Sequence, residues 1–118
     1  MLRLAEGPLL LVSFTDARID YKNIKGKRFM RRGEEYVGYG MFASLSFDDG
    51  KTWTEGKLLT DGVERYLYGG AFTGWFKMDA EHAEPKGYLA ITQSPDGIIH
   101  LLSSALHYRF NLEWLMEE

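Results

Sequence analysis

Apolar residues along this chain come in short runs closed by turn-forming residues, the pattern of strands rather than of long helices. Residues 9–16 (LLLVSFTD) read as a buried strand introduced by Glu6-Gly7-Pro8. Residues 41–47 (MFASLSF) read as another, closed by Asp48-Asp49-Gly50-Lys51, and residues 53–60 follow as its hairpin partner. A second hairpin joins residues 87–94 (GYLAITQS) to 98–106 (IIHLLSSAL) through Pro95-Asp96-Gly97. Residues 108–115 (YRFNLEWL) alternate well enough for one more strand, while Phe110, Trp114 and Leu115 also fit the face of a short terminal helix. Two long connections remain, 17–40 and 61–86. Each exceeds the roughly 12–15 residues expected of a structureless loop, so each is functional or hides short elements.

The two hairpin starts repeat one another when residues 4–13 are aligned with 92–101: strand, glycine-containing turn, long apolar strand. With thirteen glycines, three prolines and 14% aromatic residues in 118, the expectation is an all-β, antiparallel, turn-rich fold of one domain. No apolar run approaches the roughly 18 residues needed to span a membrane. The N-terminus is apolar only briefly and lacks the long apolar run of a secretory signal. The absence of cysteine excludes a disulfide scaffold, a thiolate metal site and a cysteine nucleophile.

Charge changes the picture locally. The net charge is −3, yet residues 17–32 hold Arg18, Lys22, Lys25, Lys27, Arg28, Arg31 and Arg32 against one acid, Asp20. An acidic chain argues against general nucleic-acid binding, and the basic cluster asks for a narrower ligand. Tyr21 and Phe29, interleaved with those bases, leave a single-stranded nucleic acid as a lesser reading.

One octapeptide is specific. Ser46-Phe47-Asp48-Asp49-Gly50-Lys51-Thr52-Trp53 satisfies Ser-x-Asp-x-Gly-x-Thr-Trp at every defined position, Ser46, Asp48, Gly50, Thr52 and Trp53. Gly50 supplies a positive φ, the Asp48 carboxylate accepts from nearby N–H groups, and the Ser46 and Thr52 hydroxyls close the ends. Trp53 is expected to bury its ring between neighbouring sheets. A calcium loop would need several more oxygen ligands than the segment offers. The segment resembles the Asp box, or BNR repeat, of the sialidase superfamily of β-propellers.

That resemblance implies antiparallel four-stranded blades in an incomplete ring: one near-complete blade over about 1–60, a connection at 61–86, and most of a second blade over 87–118. A propeller closes with about 4–8 blades, so the chain is expected to belong with further blades or to self-associate. The Asp box then has a folding role, at the end away from the active site, and the long loops with the bend at 106–109 occupy the opposite end. The implied function is that of a fragment of a glycoside hydrolase acting on terminal, anionic sugars, without cofactor or metal, the parent being secreted or periplasmic. The alternative is a non-catalytic glycan- or protein-binding module. Sialidase-like enzymes clamp a carboxylate with arginines and use a tyrosine nucleophile beside a glutamate, with a separate aspartate as acid or base.

Carried onto this sequence, Tyr88 takes the nucleophile's place, with Glu84 or Glu64 as neighbour. Arg18, Arg65, Tyr68, His107 and Arg109 are the candidate substrate contacts, and Arg28, Arg31 and Arg32 are further candidates for the clamp. Arg65-Tyr66-Leu67-Tyr68 reads as an aromatic binding loop or as packing between blades. His100 reads as a strand histidine inside the fold, and His82, among Asp79, Glu81 and Glu84, as part of a solvated acidic loop.

Overall fold

The structure, a computed structural model, describes residues 1–16 and 25–117. Two antiparallel sheets and two hairpins make up most of it. The first sheet holds β1 (Leu2–Arg3), β2 (Leu9–Phe14), β5 (Met41–Ser46) and β6 (Lys57–Leu58) in the order β1-β2-β5-β6. The second holds β9 (Ala90–Gln93), β10 (Ile99–Leu102) and β11 (His107–Phe110) in the order β11-β10-β9. The all-β reading stands, and both strand pairs expected from the turn signals form.

The two long connections contain the elements their length suggested. The first holds the hairpin β3 (Lys27–Arg31) with β4 (Glu34–Gly38), and the second holds β7 (Arg65–Tyr68), one helical turn α1 (Gly70–Thr73) and β8 (Trp75–Met78). Three expectations need correction. The strand predicted over 53–60 forms a ladder only at Lys57–Leu58; residues 51–56 before it are coil, tied to β5 through Thr54, whose N–H donates to Leu45 O at 2.9 Å and whose hydroxyl accepts from Leu45 N–H at 3.0 Å. The segment 108–115 is both alternatives in turn, β11 and then the helix α2 (Leu112–Met116), because Asn111 caps the helix by accepting from the Trp114 N–H at 2.9 Å. The internal repeat runs two residues out of the expected alignment. Leu4 donates to Pro8 O and Gly7 to Leu4 O, as Ser94 donates to Ile98 O and Gly97 to Ser94 O. Leu4 thus corresponds to Ser94 and Leu9 to Ile99.

One core joins the sheets. Leu10, Leu45, Ala43 and Met41 on one face of the first sheet cluster with Ile99 and Leu101 of the second, all nearly or fully buried. The opposite face, carrying Phe42 and Leu58, is covered by the β3–β4 hairpin, whose buried Phe29 meets Phe42 at a ring distance of 5.9 Å. β5 is therefore enclosed on both sides, which explains why small side chains, Ala43, Ser44 and Ser46, alternate with large ones. Gly40 is needed just before it. A Cβ there would stand 2.6 Å from the carbonyl oxygens of Ala83 and Glu84, whose backbone runs alongside. Met41 N donates to Glu84 O at 2.7 Å across that contact, and so fixes Glu84.

The turns sort to two ends. Arg3 reaches Asp49 and Gly7 O, each at 2.7 Å, and Gln93 reaches Ala5 N, Glu6 and Gly97 O, so three turns meet at one end. The hairpin insertions and the bend at 103–106 are bonded together at the other.

Candidate functional site

The Asp box forms as its residue types require, between β5 and β6. Asp48 Oδ1 accepts from the Ser46 hydroxyl at 2.9 Å and the Thr52 N–H at 2.8 Å, while Oδ2 accepts from the Thr52 hydroxyl at 2.6 Å. Gly50 N–H donates to Ser46 Oγ at 2.7 Å. Those donors, Thr52 foremost, hold the Asp48 carboxyl down at about 2. Trp53 is a correction. It is 36% exposed and lies over Gly50 beside Leu9, outside the core cluster. Among the described residues the β3–β4 hairpin covers that face at Phe42 and Leu58, and no sheet of theirs takes the Trp53 ring into its core.

The chemistry-bearing residues gather elsewhere, in an open groove of about 1160 Å³ along β11. β11 is the edge strand of its sheet, so side chains from both its faces line the groove: His107 and Arg109 from the outer face, Tyr108 and Phe110 from the core face. Across from them stand Arg31 and Arg32 at the tip of the β3–β4 hairpin, Lys57 on β6, Asp61, and Arg65 on β7. Trp114 of α2 closes one side. Five basic side chains thus face one carboxylate.

Their engagement is unequal. Arg31 donates to Ala80 O at 2.6 Å and lies 4.2 Å over the Tyr36 ring. Lys57 donates to Trp114 O at 2.8 Å, with its ammonium 3.9 Å from the Trp114 ring, and burial pushes its pKa down against the pull of Glu117. Arg65 pairs with Asp61 at 3.4 Å, and its Nε is buried with no hydrogen-bond partner. Arg32 and Arg109 are exposed and have no ion pair or hydrogen bond among the described residues. These two are the cations free to meet a ligand.

Behind the groove lies a buried polar unit. Glu84 is fully buried, and its Oε1 accepts from the Tyr108 hydroxyl at 2.6 Å and from the Ser103 hydroxyl, while Oε2 has no partner. Burial, then the bond to Glu84, pushes the Tyr108 phenol well above its ordinary range, so Tyr108 keeps its proton. The glutamate expected beside Tyr88 therefore sits with Tyr108. Tyr88 is 79% exposed and is absent from the groove, and its backbone N–H donates to Ser104 Oγ. Glu64 pairs with Lys77 at 3.2 Å.

Of the sequence candidates, Arg65, His107 and Arg109 come together in the groove, joined by Arg31 and Arg32 from the basic segment. His107 and Arg109 lie on a strand, not on the bend expected at 106–109. Tyr68 lies on the outer face of β7, its ring tilted against that of Trp75, and not in the groove. Arg18 lies outside the described residues, as does Tyr21. Lys57, Asp61, Tyr108 and Trp114 were not assigned to the clamp by sequence reasoning. That Lys57 of β6 comes to lie beside β11 is a tertiary fact with no local signal.

His100 accompanies the groove at one remove: its Nδ1 is 3.1 Å from His107 Nε2, and its Nε2 is 3.1 Å from Ser94 Oγ. Asp79, Glu81 and His82 bring potential ligand atoms within 4.8 Å of one another, but Asp79 Oδ1 already accepts from the Glu81 N–H and lies 2.7 Å from His82 Nδ1. These bonds close a loop in which Glu81 and His82 are exposed, whereas Glu84, read with them as part of a solvated loop, is buried. Among the described residues no helix is long and apolar enough to cross a membrane. Comparisons with models of protein families, with curated proteins and with solved structures find no match to this chain.

Proposed function

We propose that the chain binds an anionic glycan, with the acidic group of the sugar held in the β11 groove by Arg109 and Arg32 and the ring lodged against Trp114 and Tyr108. The observation that carries this is the groove's charge: five bases against one carboxylate, in a chain whose net charge is −3. Guanidinium forks suit a planar carboxylate, and the two without partners among the described residues give up no ion pair there on binding it. Aromatic walls with a few convergent polar groups are the usual make-up of a small-molecule site.

The wider reading is of two blades of a sialidase-like propeller. Its support, beyond the Asp box, lies in which faces the equivalent strands bury. Leu10 is buried where its counterpart His100 is not, and Ile99 is buried where its counterpart Leu9 is only partly so. Two copies of one meander packed by opposite faces are stacked in the same sense, as consecutive blades are. The face bearing Leu9 and Trp53 would then meet a further blade, or a second copy of the chain.

Hydrolysis is the second reading, favoured by the Tyr108–Glu84 bond with Asp61 across the groove. Tyr108, not Tyr88, would be the nucleophile, with Glu84 receiving its proton. Because Tyr108 holds that proton firmly, binding is the activity supported best. The test is titration with N-acetylneuraminic acid, glucuronic acid and neutral N-acetylglucosamine at low salt, followed by tryptophan fluorescence. The acidic sugars should bind, and Arg109→Ala should weaken them about tenfold or more, since a hydrogen bond to a charged group contributes about 1.5–3 kcal/mol. Equal binding of the neutral sugar would sink the proposal. Tighter binding of an oligonucleotide, collapsing steeply with salt, would move the assignment to nucleic acid. Turnover of a fluorogenic sialoside, lost in Tyr108→Phe, would establish the hydrolytic reading.

A further inference from the structure

The hairpin β7–β8 has an inner and an outer face. The register pairs Arg65 with Met78 and Leu67 with Phe76 on the inner face, where Phe76 and Met78 are buried. Tyr68 with Trp75 and Tyr66 with Lys77 fall on the outer face. That face carries three aromatic rings into solvent: Tyr66 is 67% exposed, Tyr68 55% and Trp75 73%. Tyr68 and Trp75 hold one another at a centroid distance of 5.2 Å, tilted by 54°, which stiffens the pair. The Lys77 ammonium stands 6.0 Å from the Tyr66 ring and is bound to Glu64 at 3.2 Å.

A hairpin needs an apolar face on its inner side only. Leu67 and Phe76 supply that, and cross-strand stapling by Tyr68 and Trp75 accounts for about 0.2–1 kcal/mol and leaves Tyr66 unexplained. Three half-exposed or more rings amount to an apolar patch on the order of 400 Å², the size at which surface patches on monomers are often functional. A protein partner covering it would bury roughly 800 Å² in total, below the approximately 1,000 Å² that a specific interface requires. The occupant is therefore small and flat. The patch is built of tyrosine and tryptophan rings, and the charges beside Tyr66 among the described residues, Lys77 and Glu64, are closed against one another. That suits a ligand with no net charge and with alternating C–H faces and hydroxyl rims, which is a neutral pyranose. The C–H face stacks on the ring, and the hydroxyls meet the tyrosine O–H and tryptophan N–H.

We propose that Tyr66, Tyr68 and Trp75 form a second carbohydrate site, a stacking platform for the neutral sugar rings of an oligosaccharide. It is separate from the cationic groove and does not depend on it. The groove shares this hairpin only through its inner face, by Arg65 and Met78.

The test uses the full chain with cellohexaose and with chitohexaose, followed by the fluorescence of exposed Trp75 and by calorimetry. At least one hexasaccharide should bind at sub-millimolar concentration and shift Trp75 emission to the blue. Trp75→Ala should weaken binding at least tenfold and Tyr66→Ala about threefold, whereas Trp75→Phe should retain most of it. Arg109→Ala, which disables the groove, should leave hexasaccharide affinity within a factor of two, so loss of the groove's ligand and loss of the platform's are read separately. Far-ultraviolet circular dichroism of Trp75→Ala guards against a folding defect, and Trp75→Phe carries the test should that variant fail to fold. No binding of either hexasaccharide at millimolar concentration overturns the proposal, as does binding unaffected by Tyr66→Ala and Trp75→Ala together. So does concentration-dependent dimerisation abolished by those substitutions, because the patch would then be a contact between copies.

Discussion

β5 and β11 hold the same place in their sheets, each paired to the central strand, yet they end in different corners. β5 leaves through the Asp box, where one carboxylate gathers the Ser46 hydroxyl and both the N–H and the hydroxyl of Thr52. β11 leaves through Asn111, whose side chain accepts from the Trp114 N–H and so starts α2. The apolar pattern leading into the two corners is similar. What differs is how many donors the first polar side chain collects. A carboxylate with three donors closes a loop and lets the chain return as β6. One amide oxygen three residues ahead of its donor makes a helix N-cap. The difference shapes the groove, because α2 brings Trp114 to its side.

The strongest way to break the comparison is to ask whether the two sheets are one cooperative body. Leu10→Ala and Leu101→Ala remove buried side chains from the first and second sheets, both fully buried in one core cluster. Each should cost about 2–5 kcal/mol. Both should shift a single urea transition that tryptophan fluorescence and circular dichroism report alike. A Leu101→Ala variant whose first sheet melts at the wild-type midpoint would show that the sheets fold separately.

The corners themselves come next. Asn111→Ala should destabilise by about 1 kcal/mol, the usual cost of losing an N-cap. Asp48→Ala, which strands three donors, should lower the thermal midpoint further. The two corners should also part company in acid. The Asp48 carboxyl sits at about 2 in the folded chain, against an ordinary value near 3.9 when unfolded. A lowered folded value stabilises fully above about pH 4, and that contribution is lost as pH falls toward 2. The midpoint gap between wild type and Asp48→Asn should therefore hold constant from pH 7 to 5 and close between 4 and 2. The gap for Asn111→Ala should not change over the same range. A gap for Asp48→Asn that persists at pH 2 would remove the carboxylate from the account.

How much of this was legible follows the same division. Both sheets could be read from the sequence because their turns are marked locally: Glu6-Gly7-Pro8, the Asp box and Pro95-Asp96-Gly97 each use residues that impose a turn whatever lies around them. The hairpins β3–β4 and β7–β8 were not placed. Their turns, Arg32-Gly33 and the Gly69–Gly74 segment around α1, lack the usual Asn-Gly or Asp-Gly signal, and only the length of the connections betrayed them. The groove was half legible. Arg65, His107 and Arg109 stood out by type, while Lys57 and Asp61 belong to it only because β6 and the segment after it come to lie beside β11. Trp53 was misread because its burial depended on a neighbouring sheet that the local motif does not itself provide.

The smallest expected effect compares two turns that share a backbone. Asp49-Gly50 has φ values of 60° and 91°, and Arg32-Gly33 has 50° and 80°. Both residues preceding the glycine adopt the left-handed conformation, which costs an ordinary side chain about 1 kcal/mol. Aspartate tolerates it through local hydrogen bonding, whereas arginine has no such compensation. Arg32→Asn should therefore stabilise the chain by about 0.5 kcal/mol, read as a thermal midpoint higher by a few degrees. The same substitution removes one of the two unpartnered guanidinium groups of the groove and should weaken acidic-sugar binding severalfold. Gain in stability with loss of binding is the signature of a residue kept in an unfavourable conformation for what it holds. A variant that gains stability and binds as before would leave the left-handed arginine without a functional reason. One that loses stability would mean that Arg32 makes contacts in the folded chain that outweigh its backbone strain.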